Sequence, residues 1–170
     1  MRRVVVTGMG GVTSLGENWT DIRMHMEAGE TGIRRMAEWD FYEGLNTRLA
    51  GPIKDFDVDK RYPRKAIRSM GPVSKMAVYA SEMALGKAGL LDDPLLKSGK
   101  VGVAYGSSFG STQPVIAFTD LIRIGHSKDL SATSYVKMMS HTTAVNIGVF
   151  FGLSGRVIPT SSACTSGSQG

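Results

Sequence analysis

Apolar positions recur along this chain with two different periods, and the places where the period changes predict its elements. Residues 3–7, Arg-Val-Val-Val-Thr, form a β-branched run closed by Gly8-Met-Gly10-Gly11 and read as a buried first strand. Asn18 suits the N-cap of a helix over residues 18–28 that Gly29 ends, with Trp19, Ile22 and Met26 facing the core. Residues 30–60 hold no sustained period and are punctuated by Gly, Asn, Asp and Pro. They predict an irregular surface segment with short strands, such as residues 49–53. Residues 72–88 are the clearest helix. Val73, Met76, Ala77, Ala80, Met83, Ala84 and Ala88 make one apolar stripe, whose alanines imply close packing. Residues 101–105 read as another buried strand and residues 106–111 as a turn. A helix over 113–124, a polar loop over 125–131 and a second, buried helix over 134–151 follow. Gly152-Leu-Ser-Gly155 breaks that helix, and residues 156–159 return as a short strand in which Pro159 removes a ladder donor. Strand, helix, strand, helix, strand indicates an α/β fold with a mixed or parallel sheet.

Length and composition narrow the function. A chain of 170 residues can bury a full core. Its 42% hydrophobic and 21% charged residues are ordinary for a protein that folds in water. No run approaches the ~18 apolar residues that span a bilayer, so no membrane insertion is expected. Residues 1–8 enter a strand with no secretory pattern. One cysteine cannot form an internal disulfide, and a reducing, cytoplasmic setting suits it. The net charge of +5 matters only where it clusters. It clusters at Lys60-Arg61-Tyr-Pro-Arg64-Lys65-Ala-Ile-Arg68, which holds five basic residues and no acid. That run is either a solvated helix face or a site for a polyanion. Nucleic acid is a poor fit, because only Tyr62 could stack on a base. The first glycine turn fails the dinucleotide fingerprint, since Thr13 stands where its third glycine belongs.

The candidate chemistry lies at the end of the chain, in Pro159-Thr-Ser-Ser-Ala-Cys164-Thr-Ser-Gly-Ser-Gln-Gly170. Cys164 falls between a strand and residues that can open a helix. Backbone N–H groups converge at such a turn, the helix dipole is positive there, and both favour a thiolate. Small neighbours leave room for a carbonyl to reach the sulfur. An isolated cysteine is more often a small buried hydrophobe, but the Ser-Ala-Cys-Thr-Ser-Gly context resembles the nucleophile turn of the β-ketoacyl-acyl carrier protein synthases. The early Thr-Gly-Met-Gly segment, Leu15-Gly16, the basic run and the Gly106-Ser-Ser turn are similar to that family as well.

The resemblance implies a thiolase-like, layered αβαβα parent fold. This chain would be most of its N-terminal half: one ketoacyl synthase domain over 1–170, cut within the nucleophile helix and inactive by itself. Cys164 would accept an acyl chain as a thioester, and its backbone N–H would be one donor of an oxyanion hole. Phe109 and Ala163 would line the acyl pocket, Phe109 as a gate on its depth; a core phenylalanine is the plainer reading. The helix over 134–151 would line the same pocket. Arg64, Lys65 and Arg68 would dock an acidic acyl carrier protein. The residue after the methionine at the head of the 72–88 helix is commonly Asp in the family; here it is Gly71. Two catalytic histidines and the second oxyanion donor would lie beyond Gly170, and His25, His126 and His141 match no catalytic position. The implied reaction joins acyl and malonyl thioesters in fatty-acid-type elongation by a homodimer, with no cofactor and no metal. Related alternatives are a polyketide or aryl-polyene-type ketosynthase, or a thiolase that uses coenzyme A thioesters. A non-condensing partner subunit would lack the cysteine.

Overall fold

The computed structural model describes residues 3–170, which divide into two compact units, 10–57 and 3–9 with 58–170. Within Gly10–Asp57, helix α1 (Trp19–Glu27) begins at Asn18, whose side chain accepts the Asp21 N–H, and ends at Ala28 before Gly29. Ile22 is its one buried residue; Trp19 and Met26 are exposed, against expectation. The unit is held mainly by polar ties. Strand β1 (Arg34–Arg35) pairs antiparallel with β2 (Leu49–Ala50), and a short 3-10 helix, Ala37–Phe41, lies between them. Asp40 on that helix accepts Arg35 at 2.6 Å and pairs with Arg48 at 2.9 Å. The hydrogen bond from Arg35 holds the Asp40 carboxyl below its ordinary range. Met36 is buried, and its N–H bonds to the Arg48 carbonyl at 2.7 Å, which extends the β1–β2 pairing.

The other unit carries the core. Helices α2 (Arg64–Ile67) and α3 (Pro72–Lys87) are followed by β3 (Val103–Gly106) and α4 (Gln113–Ile124). Helices α5 (Ser134–Met138) and α6 (Thr142–Phe151) lead to β4 (Val157–Thr160) and the short α7 (Ser166–Gln169). Strands β3 and β4 are parallel, with Val103 opposite Val157 and Gly106 opposite Thr160. Helix α6 packs on both strands and on α3. At the α3–α6 seam Ala77, Val78, Ala144 and Ile147 are buried, and Asn146 donates to Ser74 Oγ at 3.2 Å while accepting from Ser69. The alanines let the helices approach, and the amide satisfies the polar groups trapped there. Ser74 and Val78 are buried although the apolar stripe omits them, so the packed face is turned by one residue from the one the pattern picks out.

Three further expectations fail. Residues 3–7 are neither a strand nor buried: Val4 is 95% exposed, and no strand among the described residues bonds to the run. A β-branched run has the propensity, but only a neighbour supplies the hydrogen bonds. The segment meets α3 at Gly8, where a Cβ would lie 2.1 Å from the Ala84 carbonyl oxygen. The single helix over 134–151 is two, because other groups take the α5 carbonyls. Gly110 N–H and Ser111 N–H bond to the oxygens of Met138 and Lys137, and Thr142 Oγ1 lies 2.6 Å and 2.7 Å from those of Val136 and Met139. With those acceptors engaged, Met139 turns extended and the helix restarts at Thr142. The strand over 101–105 is half-buried rather than buried, with Ala104 exposed. Gly71 is explained by Ser111, whose Oγ would stand 1.9 Å from any Cβ there, so an aspartate would not fit.

Candidate active site

The parallel register of β3 and β4 brings two turns to the same end of the sheet, the usual place for a site in such sheets. β3 runs into the 107–111 turn and β4 into the 161–165 turn, and the Ser107 N–H bonds to the Thr160 carbonyl at 3.0 Å. The break between α5 and α6 is the third wall: Ser140 Oγ donates to Ser161 Oγ at 3.3 Å, and Gly110 and Ser111 bond to the end of α5. Two connections from distant parts of the sequence thus flank the cysteine turn.

Cys164 is exposed, between the end of β4 and the start of α7. Just before it, Ala163 has φ of +47°, the left-handed region. An L-residue with a Cβ is strained there by roughly 1–2 kcal/mol. The strain turns the chain sharply enough to present the thiol at the tip. It is held from below by Ser166, which is 2% exposed. Ser166 Oγ accepts the Ser162 N–H at 2.7 Å and donates to the Ala163 carbonyl at 2.6 Å. Its own carbonyl accepts Thr160 Oγ1 at 3.1 Å. Helix α7 lies so close to β3 that a Cβ on Gly106 would stand 1.7 Å from the Ser166 carbonyl oxygen. Burial raises the Tyr105 phenol beside this glycine above its ordinary range.

The other expected residues fall at separate places. Phe109 is 50% exposed on its turn within this chain; Ser107 Oγ donates to its carbonyl and fixes the turn. Arg64, Lys65 and Arg68 are exposed on α2 and its C-cap, with no side-chain bond or ion pair among the described residues. The rest of the basic run is engaged. Arg61 pairs with Glu82 at 2.9 Å and lies 5.5 Å from the Tyr79 ring centre, and the buried Tyr62 donates to Glu82 at 2.6 Å. Burial, reinforced by Glu82, pushes the Tyr62 phenol up. His25 bonds to Glu30, while His126 and His141 are exposed. Among the described residues no group of three or more His, Cys, Asp or Glu could hold a metal ion, and no helix is long and apolar enough to cross a membrane. Sequence reasoning missed the roles of Ser166 and Ser140. The serine-rich run around the cysteine was a signal for Ser166 only.

Comparison with known proteins agrees with this geometry. Residues 1–169 match the family described as Beta-ketoacyl synthase, N-terminal domain. The chain is 32% identical over 173 residues to 3-oxoacyl-[acyl-carrier-protein] synthase 2 of Vibrio harveyi, covering 98% of this chain and 40% of that protein. It is 32% identical over 168 residues to Nodulation protein E of Rhizobium meliloti, covering 97% and 40%. The chain therefore spans about 40% of the length of these curated relatives. Among solved structures, a Beta-ketoacyl synthase from Burkholderia phymatum STM815 superimposes with a TM-score of 0.93 at 53% identity, over 99% of this chain and 41% of that one. The fold alone is shared with a chain of the complex of a type II PKS acyl-carrier protein with its ketosynthase, at 21% identity and a TM-score of 0.74, over 98% of this chain and 43% of that one. The fold is thus the α/β, thiolase-like one expected, and the chain belongs to the β-ketoacyl synthase family, whose N-terminal domain it matches.

Proposed function

We propose that the intact protein is a 3-oxoacyl-[acyl-carrier-protein] synthase that lengthens an acyl chain. The observation that carries this reading is an exposed Cys164 on a strained strand-to-helix turn in a chain of this family. The Cys164 thiolate attacks the carbonyl of an acyl-carrier thioester. The oxyanion that forms is met by the Cys164 N–H and collapses to expel the carrier thiol, which leaves an acyl thioester on Sγ. A malonyl-carrier thioester then loses carbon dioxide to give a carbanion. That carbanion attacks the Cys164 thioester, a carbon–carbon bond forms, and Sγ leaves with the electron pair. The second step draws its proton-handling groups and second oxyanion donor from outside this chain.

Phe109 and Ala163 belong in this reading to the acyl pocket, and the half-exposed ring of Phe109 is the gate on chain length. Arg64, Lys65 and Arg68 dock the acidic carrier. Their support is that they are exposed and unpaired among the described residues, whereas Arg61 is held by Glu82. Family membership supports the homodimer, the cytoplasmic setting and the lack of any cofactor. The test is intact mass of the whole protein before and after an acyl-carrier thioester. One added acyl group is expected, and it should be lost in Cys164→Ala together with at least about a thousandfold in condensation rate. Acylation from coenzyme A thioesters alone, or an unchanged Cys164→Ala, would overturn the reading.

A further inference from the structure

The Ser166 hydroxyl is placed to set the direction of the Cys164 N–H. A peptide unit is planar, so its C=O and N–H point opposite ways and turn together. The unit between Ala163 and Cys164 carries the Ala163 carbonyl at one end and the Cys164 N–H at the other. Ser166 Oγ donates to that carbonyl at 2.6 Å, and the Ser166 N–H reaches the same oxygen at 3.1 Å. Two donors on one oxygen fix the plane. The Ser166 hydroxyl also accepts the Ser162 N–H at 2.7 Å, so it grips the chain on both sides of Ala163. It needs to do so, because Ala163 at φ +47° would relax if released. The hydroxyl is 2% exposed, and its helix is seated against the bare backbone of Gly106. Nothing about this placement lets Ser166 touch a substrate; it acts through the peptide it holds.

We infer that Ser166 is a positioning residue that aims the Cys164 N–H at the developing oxyanion. The inference rests on the reading of Cys164 as the acyl acceptor. It predicts a split between two reactions of the same sulfur. Acyl transfer passes through an oxyanion and needs the aimed N–H; alkylation by iodoacetamide displaces iodide and forms none. In the intact protein, Ser166→Ala should slow single-turnover acylation about tenfold at saturating acyl-carrier thioester, as slight misalignment does elsewhere. KM for the carrier and the alkylation rate should stay within about twofold.

Ser166→Thr, which keeps the hydroxyl, should restore acylation. If Ser166→Ala does not fold, Ala163→Gly/Ser166→Ala carries the test. Glycine removes the strain without restoring the grip, so that variant should fold and still acylate slowly. Wild-type acylation in either alanine variant, or an equal fall in acylation and alkylation, would overturn this inference alone. Acylation that survives Cys164→Ala would overturn the reading beneath it.

Discussion

At residues 160–170 a buried serine hydroxyl holds an exposed cysteine; at residues 60–68 a buried tyrosine and its glutamate partner hold three exposed cations. The first region is built on backbone geometry. Its hydrogen bonds run from one side chain to main-chain groups, and it tolerates a strained φ at Ala163 because those bonds over-determine it. The second is built on charge. Tyr62 and Arg61 converge on Glu82, Tyr62 packs edge-on against Phe150 at 4.9 Å, and the segment is fixed at one end while Arg64, Lys65 and Arg68 are exposed and unpaired among the described residues. Chemistry at a carbonyl requires atoms placed to within fractions of an ångström. Steering of a charged partner requires only sign and rough position. On the proposed reading, the two regions use their buried polar groups accordingly.

The largest effect expected from breaking this contrast is at Gly106. Gly106→Ala drives a Cβ into the Ser166 carbonyl and the backbone of α7, which cannot give way as a side chain could. Overpacking against main chain should cost about 3 kcal/mol by chemical denaturation of the intact protein. Acylation of Cys164 should fall even in the fraction that stays folded. If only stability fell, the geometric demand on the turn would be weaker than its hydrogen bonds imply.

Reversing charge at Arg64, Lys65 and Arg68 together should act differently. KM for an acidic carrier should rise about tenfold at low salt, with the difference shrinking as salt is added. Stability should change by no more than about 0.5 kcal/mol, since none of the three is buried or paired among the described residues. A salt-independent change in the acylation rate constant would show that these residues serve the turn and not the partner.

The smallest effect is in the alkaline stability of the anchor. Tyr62 has its folded pKa raised, chiefly by burial and then by Glu82. Its contribution is therefore complete below the unfolded value near pH ~10 and is lost as pH rises through the folded value. Denaturation midpoints should fall above about pH 9.5, and Tyr62→Phe should flatten that fall. The slope that remains belongs in part to Tyr105, whose phenol burial also raises. An unchanged slope would mean that Tyr62 ionises as freely folded as unfolded.

Local chemistry was legible in the chain itself. The Asn18 cap, helix α3, the limits of α4, the break at Gly152 and the strand-to-helix setting of Cys164 all follow from spacing and residue type. Caps, breakers and helical periods act between residues a few positions apart, so the sequence states them directly. What only the tertiary structure decided depends on neighbours far along the chain. Residues 3–7 have every strand propensity and no partner strand among the described residues. Residues 134–151 read as one helix until Gly110 and Ser111 claim the carbonyls of α5. Gly71 could be noted in the sequence only as a departure from the family and is explained by Ser111 once the fold brings the two together, as Gly106 is by Ser166. Ser166 itself was one serine among several, because a hydroxyl becomes a clamp only when its helix is seated on a bare backbone and its oxygen faces the strained turn. Composition and period describe what each segment can form; which hydrogen bonds it finally makes is settled by the partners that folding brings to it.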